Sequence, residues 1–201
     1  MGKFYKGPYV AIDGVDFSGK STVVKSLKKM FYNENYIFTK EPYYPRFRDI
    51  IINDPLISED TRYLLLLADR NEHCDKILVP NSDKLIISDR SFLSGMAYGT
   101  ELWNVGKIMQ KFTGAVNINA LHIIFTLDYN DFLLRYEEVK NRDVIESKEP
   151  SELYLVQDKL LKAASMFGIT PVVINASCGR EELLEATSKE ITLYMENYTC
   201  K

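Results

Sequence analysis

Gly14, Gly19, Lys20 and Ser21 stand in the spacing G-x-x-x-x-G-K-S, inside the octet Gly14-Val15-Asp16-Phe17-Ser18-Gly19-Lys20-Ser21. A polyphosphate needs what this spacing supplies. Two glycines let the backbone curl so that several N–H groups converge on anionic oxygens, and a helix beginning just after them adds its positive end. Lys20 brings a compact cation to the β- and γ-phosphates, and the Ser21 hydroxyl is suited to Mg²⁺. Asp16 is an odd charge for a loop that binds only phosphate. It is read as facing another part of the substrate, such as a sugar hydroxyl, or as a turn-stabilising residue. The role of Asp13 stays open.

Transfer of a phosphoryl group is mostly positioning and charge neutralisation, so its site should hold Arg, Lys and metal-orienting carboxylates rather than nucleophiles. Asp89 ends an apolar run and suits a carboxylate that orients a metal or its waters; Arg90 would project into the same cleft. The bland reading is a surface ion pair worth little. Arg62, Leu66, Arg70 and His73 recur at spacings of three and four, one helix face that either lines a site or is solvated. Arg46 and Arg48, after Pro42 and two tyrosines, either hold a phosphate or decorate a loop. Arg135, Lys140, Arg142 and Lys148 surround a polar segment at 140–150. That segment is expected to be a mobile cationic flap that closes over phosphates and excludes water, or else a solvated loop. His122 on an apolar strand reads as a core residue, and Tyr129, Tyr136 and Tyr154 read as packing.

These residues need elements to position them. Tyr9–Ile12 is a continuous apolar run, as in a strand buried on both faces. Val23, Val24, Leu27, Met30 and Phe31 then mark an amphipathic helix. A strand at Tyr36–Thr39 ends at Lys40-Glu41-Pro42, and a short helix is expected at Phe47–Ile52. Ser58-Glu59-Asp60 caps a helix running to about Val79, with Leu64, Leu67, Cys74, Ile77 and Leu78 as its core stripe. Strands are expected at Lys84–Asp89, Leu121–Leu127 and Thr170–Ile174. Asn130 is expected to cap a helix through Val139, and further helices are expected over Leu153–Phe167 and over Glu181–Asn197. Strands alternating with helices predict an α/β fold with a doubly wound parallel sheet. Its ligands belong at the carboxyl ends of the strands, which is where the phosphate loop, Lys40-Glu41-Pro42 and Asp89-Arg90 fall.

Composition narrows the classes. A chain of 201 residues is most simply one domain, residues 1–201. The net charge of −3 argues against a protein that coats nucleic acid, which wants surplus Lys and Arg. Three widely spaced cysteines, Cys74, Cys178 and Cys200, show no metal-type pairing and suit a reducing compartment. No apolar run approaches the roughly 18 residues of a membrane span. Met1–Lys6 is basic but no apolar stretch follows it, and Lys6 replaces the Ser or Thr of a myristoylation signal. A cytoplasmic protein with neither nucleic-acid nor membrane partners is expected.

Together and in this order the motifs resemble the thymidylate kinase family of P-loop nucleoside monophosphate kinases, from about Tyr9 to the closing helix. Ile12-Asp13-Gly14-Val15-Asp16-Phe17-Ser18-Gly19-Lys20-Ser21-Thr22 is similar to the family's phosphate loop, including the internal Asp that contacts the deoxyribose 3′-hydroxyl. Lys40-Glu41-Pro42 resembles its R-E-P or R-F-P segment, and Ala68-Asp69-Arg70 its A-x-R helix, whose Arg reaches the base. Asp89-Arg90-Ser91-Phe92-Leu93-Ser94-Gly95-Met96-Ala97-Tyr98 resembles D-R-Y/H followed by S-x-x-A-Y/F. There the Arg binds the acceptor phosphate and the final aromatic crowds a ribose 2′-hydroxyl. Asn175-Ala176-Ser177 resembles the D-A-S loop beside the adenine of ATP.

Three departures stand out. Leu66 occupies the place of a thymine-stacking Phe, Ser91 replaces Tyr or His, and Phe17 stands where some members carry an Arg. The lid at about 140–150 reads Asp143-Val144-Ile145-Glu146 beside the bacterial D-R-I-E, so the catalytic cation is Arg142 or Arg135. The resemblance implies a three-layer P-loop kinase fold with a five-stranded parallel sheet, ATP and Mg²⁺ as donor and cofactor, and a homodimer packed through the long helices. Lys20, Asp89, Arg90 and one lid Arg would be catalytic, with Ser21 and Asp89 at the metal. The loop from Gly14 to Thr22, with Ala176 and Ser177, would bind ATP. Asp16, Glu41, Pro42, Arg46, Leu66, Arg70, Arg90, Ser94 and Tyr98 would bind the acceptor. The implied reaction is dTMP to dTDP. The alternatives are a kinase for another deoxynucleotide or deoxynucleoside, or a non-catalytic nucleotide-binding protein; no N-K-x-D motif supports a GTPase switch.

Overall fold

A computed structural model of the chain describes residues 7–32, 34–99 and 120–199. Met1–Lys6 and Cys200, which bear on targeting and thiol chemistry above, lie outside them. Strand β1, Tyr9–Gly14, is buried along its whole length, as a continuous apolar run requires. Helix α1, Lys20–Met30, turns Val23, Val24 and Leu27 inward and Lys25, Lys28 and Lys29 outward. After β2 (Tyr36–Lys40), helix α2 (Pro45–Asn53) starts on a proline, whose fixed φ and missing N–H suit a first turn. Helix α3 (Glu59–His73) is capped by Ser58, whose hydroxyl accepts from the Thr61 amide at 3.2 Å. Then come β3 (Leu85–Asp89), α4 (Phe92–Ala97), β4 (Leu121–Thr126), α5 (Tyr129–Glu138), α6 (Pro150–Tyr154), α7 (Val156–Met166), β5 (Val172–Asn175) and α8 (Arg180–Thr199).

The strands form one sheet in the order β2-β3-β1-β4-β5, every pairing parallel, so the expected α/β architecture is borne out. β1 is the middle strand. It sends Val10 and Ile12 into one apolar cluster and Tyr9 and Ala11 into another, the period of two that makes a sheet the middle of three layers. The phosphate loop therefore leaves the centre of the sheet, with the ends of β2 and β3 on one side and of β4 and β5 on the other. Among the described residues no helix is long and apolar enough to cross a membrane.

Four expectations need correction. The long helix changes pitch after His73, through a π-helical turn at Cys74–Leu78 and a 3₁₀ turn at Val79–Asn81. Leu64 is not in its core stripe but 59% exposed. The buried stripe is Tyr63, Leu67, Arg70, Cys74 and Leu78, shifted in phase because polar Arg70 and His73 are also buried. The helix expected over Leu153–Phe167 is two, α6 and α7, meeting at the half-exposed Leu155. Asn130 lies within α5; Asp128 holds the cap position.

Candidate nucleotide site

The phosphate loop is shaped by its two glycines. A Cβ at Gly14 would come within 2.7 Å of the Phe125 carbonyl oxygen, so β1 can end against β4 only without a side chain there. Gly19 has φ 87°, a left-handed conformation it adopts without strain. Lys20 is buried, and its Nζ donates to the Val15 carbonyl at 2.7 Å. Burial, and then the nearby Arg90 charge, pull its pKa down to about 8 against the opposing pull of Asp16, Asp89 and Asp13. Ser21 Oγ donates to Asp89 Oδ2 at 2.7 Å. A hydroxyl and a carboxylate meeting at the mouth of a phosphate loop fit Mg²⁺, a hard cation that keeps several waters and takes few protein ligands. Among the described residues no group of three His, Cys, Asp or Glu side chains could hold a metal alone. Thr22 is exposed at the start of α1.

Beside the loop lies a cavity of about 430 Å³. Asp16, Ser21 and Asp89 form its wall towards the phosphate loop, and Lys40, Glu41 and Pro42 extend that wall from the end of β2. Arg90, Ser94, Gly95 and Tyr98 line another side, Leu66 and Arg70 a third, from α3. Asp16 is buried, forms an ion pair with Arg90, and accepts the Tyr98 hydroxyl at 2.6 Å. Burial would raise its pKa, but Arg90, Lys20 and Tyr98 outweigh burial and hold it below the usual carboxylate range. Arg90 also donates to the Tyr98 hydroxyl at 3.3 Å and lies 5.1 Å from that ring's centre, a cation–π contact that helps fix the guanidinium.

Glu41 forms an ion pair with Arg70 and bonds His73 Nδ1 at 2.7 Å, while His73 Nε2 is 2.8 Å from Thr39 Oγ1. Burial, then the Arg70 charge, push the His73 pKa down to about 3. A neutral imidazole facing a carboxylate carries its proton on Nδ1, so the Thr39 hydroxyl donates to Nε2. The Glu41–Pro42 peptide is cis.

Several roles were not legible beforehand. Asp13 is fully buried and accepts Ser91 N at 2.9 Å, Ser91 Oγ at 2.6 Å and Ser94 Oγ at 2.6 Å. It thereby ties β1 to the start of α4, and Ser91 has its use there. Asp69 accepts the amides of Tyr43 and Tyr44 at 2.7 and 2.6 Å, just ahead of α2. Arg62 clasps α2 through the carbonyls of Ile51 and Asp54. Arg46 does not line the cavity; Arg48 does. Helical spacing explains this, since Arg48, Ile51 and Ile52 share the inward face and a residue two positions from Arg48 points away. His122 is buried against the edge of Phe92, and burial lowers its pKa to about 4.

The 140–150 segment is docked, and what it turns to the cavity is acidic: Asp143 and Glu146, with Ile145. Burial, then Asp143, raise the pKa of Glu146. The Val144 amide donates to the Ile52 carbonyl at 2.9 Å, and Lys148 pairs with Glu59 at 3.0 Å. The segment's cations thus do not face the cavity in this structure, contrary to the expected cationic flap. Arg142 donates to the Tyr136 carbonyl and lies 3.6 Å from the centre of that ring. Arg135 donates to the carbonyls of Phe17 at 3.2 Å and Ala176 at 2.7 Å. Neither arginine lines the cavity. Ala176 is buried, and Ser177 Oγ accepts from the Asp128 amide at 3.0 Å.

A family model described as thymidylate kinase matches residues 12–187. The chain is similar to the thymidylate kinase of Nautilia profundicola, 34% identical over 194 residues that cover 94% of this chain and 98% of that protein. It is 35% identical to that of Wolinella succinogenes over 182 residues, 87% of this chain and 93% of the relative. For the Campylobacter jejuni enzyme the figures are 37% over 159 residues, covering 77% and 82%.

Proposed function

The chain belongs to the thymidylate kinase family, and on that premise we propose that it transfers the γ-phosphoryl group of ATP to dTMP, giving dTDP and ADP. The observation that carries this reading is the adjacency of two sites. The mouth of the phosphate loop, at Ser21 and Asp89, forms one wall of a cavity that Arg90, Asp16 and Tyr98 also line. A donor phosphate in the loop and an acceptor phosphate at Arg90 would meet across that wall, the positioning on which phosphoryl transfer depends.

In this reading an oxygen of the dTMP phosphate attacks the γ-phosphorus, and the bond to the β–γ bridging oxygen breaks as ADP leaves. The N–H groups of the loop from Gly14 to Thr22 and the Lys20 ammonium hold the donor phosphates. Ala176 and Ser177 border the donor's base. Ser21, with Asp89 orienting the waters, would hold Mg²⁺, which would supply charge neutralisation for the donor phosphates. Arg90, with Arg48 rather than Arg46, holds the acceptor phosphate. Asp16 faces the deoxyribose and Tyr98 packs where a 2′-hydroxyl would be. Glu41, Pro42, Leu66 and Arg70 form the base end, with Ser94 supporting through Asp13. Arg142 leaves Tyr136 to complete the clamp on the transferring group. A second copy packed through α3, whose Leu64 is exposed, is the proposed assembly; sedimentation at a single chain's mass would refute it.

The test is a panel of nucleoside monophosphates and nucleosides with γ-labelled ATP. Label should pass to dTMP fastest. Turnover of another acceptor with none of dTMP overturns the reading.

A further inference from the structure

Phe17 lies inside the phosphate loop with φ 66°. A bulky side chain is uncommon in that left-handed region, and such a residue persists only where its surroundings over-determine it. Here the surroundings come from one helix face. The Phe17 ring lies 5.9 Å from that of Phe132 and 5.7 Å, edge-on, from that of Tyr136. The Phe17 carbonyl accepts from Arg135 Nη1 at 3.2 Å. Phe132, Arg135 and Tyr136 fall at i, i+3 and i+4 of α5, the spacing of neighbours on a helix surface. The other prong of the Arg135 guanidinium reaches the Ala176 carbonyl at 2.7 Å, at the end of β5. A planar fork can span two carbonyls in this way.

We propose that Arg135 is a positioning residue for ATP: with Phe132 and Tyr136 it braces Phe17 from behind, holds the phosphate loop in its curled form, and fixes that loop to the Ala176 turn. It is then not the cation of the transition state. The brace explains why an aromatic is tolerated at Phe17. The curl directs backbone N–H groups at phosphate, and losing it would scatter them. The inference rests on the kinase reading only in taking ATP as the ligand of the loop.

Steady-state kinetics and ATP calorimetry on the full chain test it. Arg135→Ala should raise the Kd for ATP about tenfold, with kcat within about threefold and the KM for dTMP unchanged. Arg135→Lys keeps the charge but loses the planar fork, so it should restore little of that affinity. A loss of kcat of about a hundredfold or more with the ATP Kd unchanged would make Arg135 a transition-state cation and overturn the proposal. Full rescue by Lys, or equal losses towards both substrates, would overturn it as well. If Arg135→Ala does not fold, Phe17→Leu decides. It removes the ring contacts and keeps an apolar side chain, so an unchanged ATP Kd there sinks the brace. A wild-type chain that binds ATP but passes no label to dTMP refutes the acceptor reading alone; one that binds no ATP refutes both.

Discussion

The two halves of the site hold their positive charges differently. On the acceptor side the arginines face carboxylates: Arg90 with Asp16, Arg70 with Glu41. On the donor side the cations rest on neutral carbonyls: Lys20 on Val15, Arg135 on Phe17 and Ala176, Arg142 on Tyr136. A buried ion pair is hard to break, because removing one partner strands the other's charge. A cation on a carbonyl gives up less when phosphate arrives, since a neutral carbonyl lacks the full opposite charge of a carboxylate. On the proposed reading the acceptor side is therefore set before substrate comes, while Lys20 and Arg142 would exchange carbonyls for phosphate oxygens. Arg135 alone uses two carbonyls and is the donor-side cation least able to move.

That contrast can be broken at several points. The largest effect is expected at Arg142. Arg142→Ala should lower kcat about a thousandfold, as for other arginines that stabilise the transferring phosphoryl, with ATP and dTMP affinities nearly unchanged in single-turnover and binding measurements. If kcat holds, Arg142 belongs to Tyr136 and the carbonyl-held cation is not a reserve. Lys20→Met should lower kcat/KM about a hundredfold or more. Its wild-type counterpart, with a pKa near 8, should lose ATP affinity as pH rises through 8, because the neutral amine no longer meets phosphate. The Met variant should show no such loss.

On the acceptor side the signature is different. Glu41→Gln leaves Arg70 charged and buried without its carboxylate, so it should destabilise the fold by about 3 kcal/mol, read by urea unfolding. It should also raise the KM for dTMP about tenfold while sparing ATP. Wild-type stability with altered kinetics would show that Glu41 serves chemistry alone.

Acid loosens the molecule without a substitution. His73 and His122 have folded pKa values of about 3 and about 4, below the 6.5 of an unfolded His. The unfolded chain binds more protons below 6.5, so the stability of the neutral rings is complete above that pH and lost as pH falls through 4 and 3. Each ring contributes at most about 1.4 kcal/mol per pH unit. His122→Leu should remove its half of the slope between pH 6.5 and 5, leaving the half due to His73 behind Glu41.

Much of this molecule was readable from local chemistry. The apolar runs of β1, β3 and β4 are buried because their residues leave no other choice, and G-x-x-x-x-G-K-S dictates its own curl. The reading failed where a side chain's partner is distant in sequence. Arg70 and His73 look like a solvated face until Glu41 and Thr39, about thirty residues earlier, arrive to satisfy them. Leu64 then loses its place in the core. Asp69 passed as filler between Ala68 and Arg70 because its partners are backbone amides, which carry no sequence signal. The 140–150 segment misled in another way. Counting its charges gave a basic flap, but direction matters more than number, and Arg142 and Lys148 point to Tyr136 and Glu59.

The docking of that segment sets a timetable. It bonds to α2 through Val144 and to α3 through Lys148, on either side of the acceptor cavity rather than across the phosphate loop. Were the segment to close over a bound acceptor, these two fastenings, one a backbone amide and the other a weak surface ion pair, would have to part before release. On the proposed reading, residence time at the acceptor end would then follow the segment. Analogues of the acceptor should dissociate more slowly than analogues of the donor at equal affinity.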